Sequence, residues 1–81
     1  MVIQYYPQGV CSQVMLVDVE DGVVRSLQVL GGCSGNLQGI SRLVEGMQVE
    51  EAVRRLEGIR CGDKPTSCPD QLAQALKQVR E

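Results

Sequence analysis

Four cysteines, Cys11, Cys33, Cys61 and Cys68, are the residues of this 81-residue chain best suited to chemistry. The chain has no histidine, which removes both a Cys-His nucleophile pair and an imidazole base. The thiols are left with three uses: ligating a metal, exchanging disulfides, or filling the core as small apolar side chains. No two of them form a CxxC pair, so spacing alone does not choose among these uses. Two of the four fall at expected helix starts. TSCPDQLAQAL (Thr66 to Leu76) puts Cys68 in a first turn, and LGGCSGNLQGI (Leu30 to Ile40) puts Cys33 just ahead of another. Unpaired N–H groups and the helix dipole at such a start favour the thiolate, the form that attacks and ligates metals. Cys61 and Cys68 flank GDKPTS, where Gly62, Lys64 and Pro65 suit a loop folding both thiols toward one point, with Lys64 favouring the charged form. The plainer reading makes Cys68 a tolerated first-turn residue and Cys61 a buried one.

Bringing the other two cysteines together is a task for a hairpin. Gln13 to Glu20 and Val23 to Leu30 are rich in Val and Leu, and Asp21-Gly22 between them is a type I′ turn signal. A two-residue loop pairs Glu20 with Val23 and Val19 with Val24. Continued without interruption, the ladder sets Asp18 against Arg25, Val17 against Ser26, Leu16 against Leu27 and Val14 against Val29. One face then carries Val14, Leu16, Leu27 and Val29, and the other Met15, Val17, Val19, Val24 and Leu30. Extending the ladder outward brings Cys11 opposite Gly32, one residue from Cys33, and predicts that these two cysteines lie close together. A ribbon apolar on both faces needs cover. Val2 to Tyr6 is expected to add a third strand, Pro7 and Gly9 to bend the chain before Cys11, and helix or a second copy of the chain to cover the remaining face.

Beyond Cys33 the apolar spacing becomes helical. Leu37, Ile40, Leu43 and Val44 mark one helix stopped by Gly46, and Val49, Ala52, Val53 and Leu56 mark a second ending at Gly58. The third is the best marked: Ser67 and Asp70 fit a variant of the capping box, Pro69 suits the first turn, and Leu72, Ala73, Leu76 and Val79 form its stripe. The expected fold class is therefore α+β: a small antiparallel sheet built on the Gln13–Leu30 hairpin and packed against about three helices. Residues 1–81 read as one domain, without repeat, linker or low-complexity tail. A domain of this size buries roughly 60–65% of the surface its unfolded chain exposes.

Composition narrows the function classes. Eight basic and ten acidic residues give a net charge of −2 without a basic cluster, and Tyr5 and Tyr6 are the only aromatic residues, which argues against nucleic-acid binding. VIQYYPQG after Met1 has neither a basic leader nor a long apolar run, so neither a signal peptide nor a membrane span is expected and the expected compartment is the cytoplasm. In a reducing compartment, metal or redox use is favoured over a disulfide framework. Glu45, Glu50, Glu51 and Glu57 read as a solvated helix surface with Arg54 and Arg55, and Asp70 as a helix cap rather than a catalytic acid.

Taken together, GVCS (Gly9 to Ser12), GGCSGNLQGIS (Gly31 to Ser41), LVEGM (Leu43 to Met47), GIRCG (Gly58 to Gly62) and TSCPDQLAQAL resemble the TSCPD-domain family over nearly the whole chain. That family has free-standing bacterial members, and related domains occur near the C-terminus of some adenosylcobalamin-dependent ribonucleotide reductases. The resemblance implies that Cys11, Cys33, Cys61 and Cys68 are the family's cysteine positions, and that a ribonucleotide reductase or another metalloenzyme is a candidate partner; the homodimer expectation comes from the apolar ribbon instead. It does not carry the reductase activity, which needs a radical-sheltering domain, a nucleotide site and a cofactor site. GGCSG lacks the Lys-Ser/Thr of a phosphate-cradling loop, and its glycines read as a strand-to-helix turn. The order Cys11, Cys33, then Cys61 or Cys68 is also loosely similar to U-type iron–sulfur scaffold proteins, although Ser12 and Gln13 stand where that pattern has an acidic residue. The expected function is a cysteine-based metal-binding accessory or scaffold module holding zinc or an iron–sulfur cluster on the four cysteines. The alternatives are a thiol–disulfide partner using Cys61 and Cys68, and an interaction module with inert cysteines.

Overall fold

The computed structural model describes residues 1–10, 12–31 and 34–78, with the backbone alone for residues 34 and 35. The elements run β1 (Val2–Tyr5), β2 (Ser12–Glu20), β3 (Val23–Gly31), α1 (Ser34–Val44), α2 (Val49–Leu56) and α3 (Cys68–Lys77). The strands form one antiparallel sheet in the order β1-β2-β3, so the fold is α+β as expected. Asp21 and Gly22 at the hairpin turn have φ of 54° and 74°, the left-handed pair that a type I′ turn requires.

The hairpin register agrees with the sequence reading at both ends and departs from it in between. Glu20 pairs with Val23 and Val19 with Val24, but Asp18 then faces Ser26, Val17 faces Leu27 and Leu16 faces Gln28. Arg25 is the extra residue, a bulge in β3. Asp18 therefore does not face Arg25: it receives the Met1 amino group at 3.4 Å, while Arg25 reaches Glu20 at 3.6 Å. A second shift makes Gln13 the extra residue of β2, and Ser12 again faces Gly31.

The bulge at Arg25 also corrects the expected faces. A slip of one residue exchanges the two sides of a strand. Leu27 joins Met15, Val17, Val19 and Val24 in the core, and Val29 packs against them, whereas Leu30 turns outward and is 55% exposed. Ile3 and Tyr5 of β1 add to the same inner face.

Helices of this chain cover that face. Val44 of α1, Val49, Ala52 and Val53 of α2, and Leu72 and Leu76 of α3 complete the core. Burying each large aliphatic side chain contributes roughly 1.5–3 kcal/mol. The Val and Leu spacing read from the sequence holds for α2, and for α3 at Leu72, Ala73 and Leu76; Val79, the last residue of the expected α3 stripe, lies outside the described residues. In α1, Leu43 is 75% exposed and outside the stripe: the buried Leu37 and Val44 stand two turns apart on one side, and Leu43 lies about 100° around the helix from Val44. Gly46 and Gly58 sit at φ of 86° and 84°, where the chain leaves α1 and α2 in a conformation that disfavours other residues. Among the described residues, no helix is long and apolar enough to cross a membrane.

Candidate functional site

Cys68 opens α3 at the open end of the hairpin, away from the Asp21-Gly22 turn. Ser67 is the N-cap: its Oγ accepts from the Asp70 N–H at 3.2 Å and donates to the Ile59 carbonyl at 2.7 Å. Pro69 fills the first turn, where its missing N–H costs nothing. The half of the capping box contributed by the cap is made, but Asp70 does not return the favour. Its carboxylate instead accepts the Gly58 N–H at 2.7 Å and the Thr66 hydroxyl. These hydrogen bonds, the one from Thr66 foremost and that from Gly58 next, hold the Asp70 carboxyl below the usual carboxylate range.

The Cys68 sulfur is half-buried, packs against the core, and lies 3.3 Å from the Oγ of the buried Ser12. Ser12 is the residue bonded to Cys11, and its strand partner Gly31 stands two residues before Cys33. Cys11 and Cys33 themselves lie outside the described residues, so their predicted closeness does too. Cys61 is exposed, which corrects the reading of it as a buried core thiol. It occupies a turn in which the Lys64 N–H donates to the Cys61 carbonyl at 3.0 Å and the Cys61 N–H donates to the Thr66 carbonyl at 3.2 Å. Cys61 and Cys68 are both free thiols. Among the described residues no group of three or more Cys, Asp, Glu or His is placed to hold a metal ion.

Sequence reasoning missed Gln71. This buried side chain accepts from the Tyr5 hydroxyl at 3.2 Å and from the Gln8 N–H at 3.0 Å, and donates to the Thr66 hydroxyl oxygen at 3.0 Å. The segment after β1 also runs beside the residues that lead into α3: a Cβ at Gly9, where φ is 73°, would stand 3.4 Å from the methyl of Thr66. A polar residue on the buried side of an amphipathic helix was the available signal, because such a group needs partners. The acidic residues in and just after α2 behave as a solvated surface: Glu51 pairs with Arg54 and Arg55, which hold its carboxyl low, and Glu57, the C-cap, pairs with Lys77 at 2.6 Å.

No curated protein and no solved structure matches the chain. The sequence-family model of the TSCPD domain matches residues 1–80, and the residues that name it have the structural roles just described: a hydroxyl donor, a cap, a thiol, a first-turn proline and a loop-tethering carboxylate. This chain belongs to the TSCPD-domain family.

Proposed function

We propose that this TSCPD domain is a cysteine-based metal-binding module, with Cys11, Cys33, Cys61 and Cys68 as ligands for zinc or an iron–sulfur cluster. It would serve in the cytoplasm as an accessory or scaffold to a ribonucleotide reductase or another metalloenzyme. One observation carries the reading. The Cys68 sulfur meets Ser12, the residue bonded to Cys11, at the end of the sheet where Gly31 leads on to Cys33. The donor chemistry agrees: four thiols without histidine are a soft set that suits zinc or iron–sulfur clusters. A bound metal would link the sheet end, the Cys61 loop and α3 in a small domain, and its binding energy would add to folding stability.

The test is metal content and absorption spectrum of protein purified without oxygen, followed by thiol counting with and without chelator. The expected result is a stoichiometric metal, lost in Cys68→Ser and Cys33→Ser, with a lower unfolding midpoint in both and in the chelated parent. The loss should be on the order of several kcal/mol. Metal-free parent protein, with Cys68→Ser melting like it, would sink the reading. A second reading draws on the exposed, free Cys61: a thiol–disulfide partner in which Cys61 and Cys68 cycle. It is favoured if metal-free protein forms a Cys61–Cys68 disulfide with diamide that dithiothreitol reverses.

A further inference from the structure

We infer that Asp70 and Gln71 are positioning residues, adjacent in sequence, that hold in place the loop carrying Cys61 and the segment leading to Cys11, a role that rests on the thiolate site proposed above. The Asp70 carboxylate gathers both ends of the Gly58–Thr66 loop that carries Cys61, through the Gly58 N–H at 2.7 Å and the Thr66 hydroxyl. The neighbouring Ser67 Oγ holds the same loop at the Ile59 carbonyl, 2.7 Å away. Gln71 holds the other segment. Its carbonyl oxygen accepts from Gln8, three residues before Cys11, and from Tyr5 at the end of β1. Its amide donates to the Thr66 hydroxyl oxygen at 3.0 Å, which joins the two arms.

Both side chains are buried, and among the described residues no buried side-chain polar atom lacks a hydrogen-bond partner. Neither side chain is a thiol, and each already has its acceptor oxygens committed to the chain itself. Their contribution is therefore to where the ligands stand. Such supporting contacts are typically worth roughly 10–100-fold in metal affinity. The first turn of α3 thus places its own Cys68, the Cys61 loop and the segment leading to Cys11 against one another.

The experiment uses the full chain, free of oxygen and metal, in four variants: Asp70→Ala and Gln71→Leu, and the conservative Asp70→Asn and Gln71→Glu, which keep an acceptor oxygen. Amide hydrogen exchange and cobalt(II) titration are measured on each. The Gly58 and Cys61 amides should exchange faster in Asp70→Ala, and the Gln8 amide faster in Gln71→Leu, with mid-sheet amides unchanged. Cobalt affinity should fall roughly 10–100-fold in both and recover in large part in the conservative variants. Exchange that is unaltered, or accelerated evenly across the molecule, overturns the inference, as does local acceleration with parental cobalt affinity. If the parent itself binds no cobalt, the metal reading fails by itself, and positioning is then judged on thiol reactivity. The rate of Cys61 modification by an aromatic disulfide should change several-fold in Asp70→Ala and hold in Gln71→Leu, and equal rates in both overturn the role.

Discussion

The two ends of the hairpin are held by different means. At the turn end, β3 is tied to the α1–α2 connection through backbone: Val24 N–H to the Met47 carbonyl, Gly46 N–H to the Val24 carbonyl, and Val49 N–H to the Gly22 carbonyl, at 2.7–2.8 Å. Here residue type matters through glycine backbone conformations and apolar burial. At the open end the ties run through side chains, from Ser67, Asp70 and Gln71 to Ile59, Gly58, Gln8 and Tyr5, with Ser12 against Cys68. Backbone ties tolerate many sequences, whereas side-chain ties require particular residues. The matched family takes its name from residues at the second end, and that is where Cys61, Cys68 and the neighbours of Cys11 and Cys33 collect.

Substitutions can break this contrast. Among substitutions that leave the cysteines in place, Asp70→Ala should have the largest effect: it strands the Gly58 N–H and the Thr66 hydroxyl, and a cost of about 1–3 kcal/mol is expected in denaturant unfolding. Ser67→Ala removes the cap and the bond to Ile59 together, for about 1–2 kcal/mol. Acid provides a gentler version of the first. The carboxyl of Asp70 is held below its unfolded value, so the stability it adds is fully present above the unfolded value of about 3.9 and is lost as pH falls through the lower folded value. An Asp70→Asn variant should therefore show a flatter decline in unfolding midpoint below about pH 4 than the parent. Smallest of all, Gln48→Ala at the turn end touches an exposed side chain beside a backbone bridge and should stay within about 0.5 kcal/mol. A larger loss there would erase the distinction between the ends.

Local chemistry is legible in the sequence and distant pairing is not. Asp21-Gly22, Gly46, Gly58 and the Ser67 cap each act over a few residues, and each stands where its residue type puts it, whereas the Asp70 side chain, expected in the cap, binds Gly58 and Thr66 instead. The Asp70 carboxylate and Gln71 escape a sequence reading because their partners are Gly58, Thr66, Tyr5 and Gln8, the last two more than sixty residues away along the chain. The middle of the hairpin departs from its expected register because Val and Leu occupy both parities of β2 and β3, so the apolar pattern does not reveal that Arg25 is unpaired. Of the candidate ligands, Cys68 stands at a helix start as expected, and Cys61 is exposed rather than buried.

The two bulges carry a consequence for the hairpin as a reading frame. β2 and β3 have nine residues each and share eight pairs, because each strand contains one residue that the other does not answer. Arg25 is one frameshift and Gln13, on the opposite strand, its suppressor: the phase lost near the turn is recovered before Ser12 meets Gly31. Deleting either of these residues leaves every remaining pair and face as it is. Removing a paired residue from the middle, such as Leu16, would put the rest of its strand out of frame, exchanging inner and outer side chains up to the cysteine end.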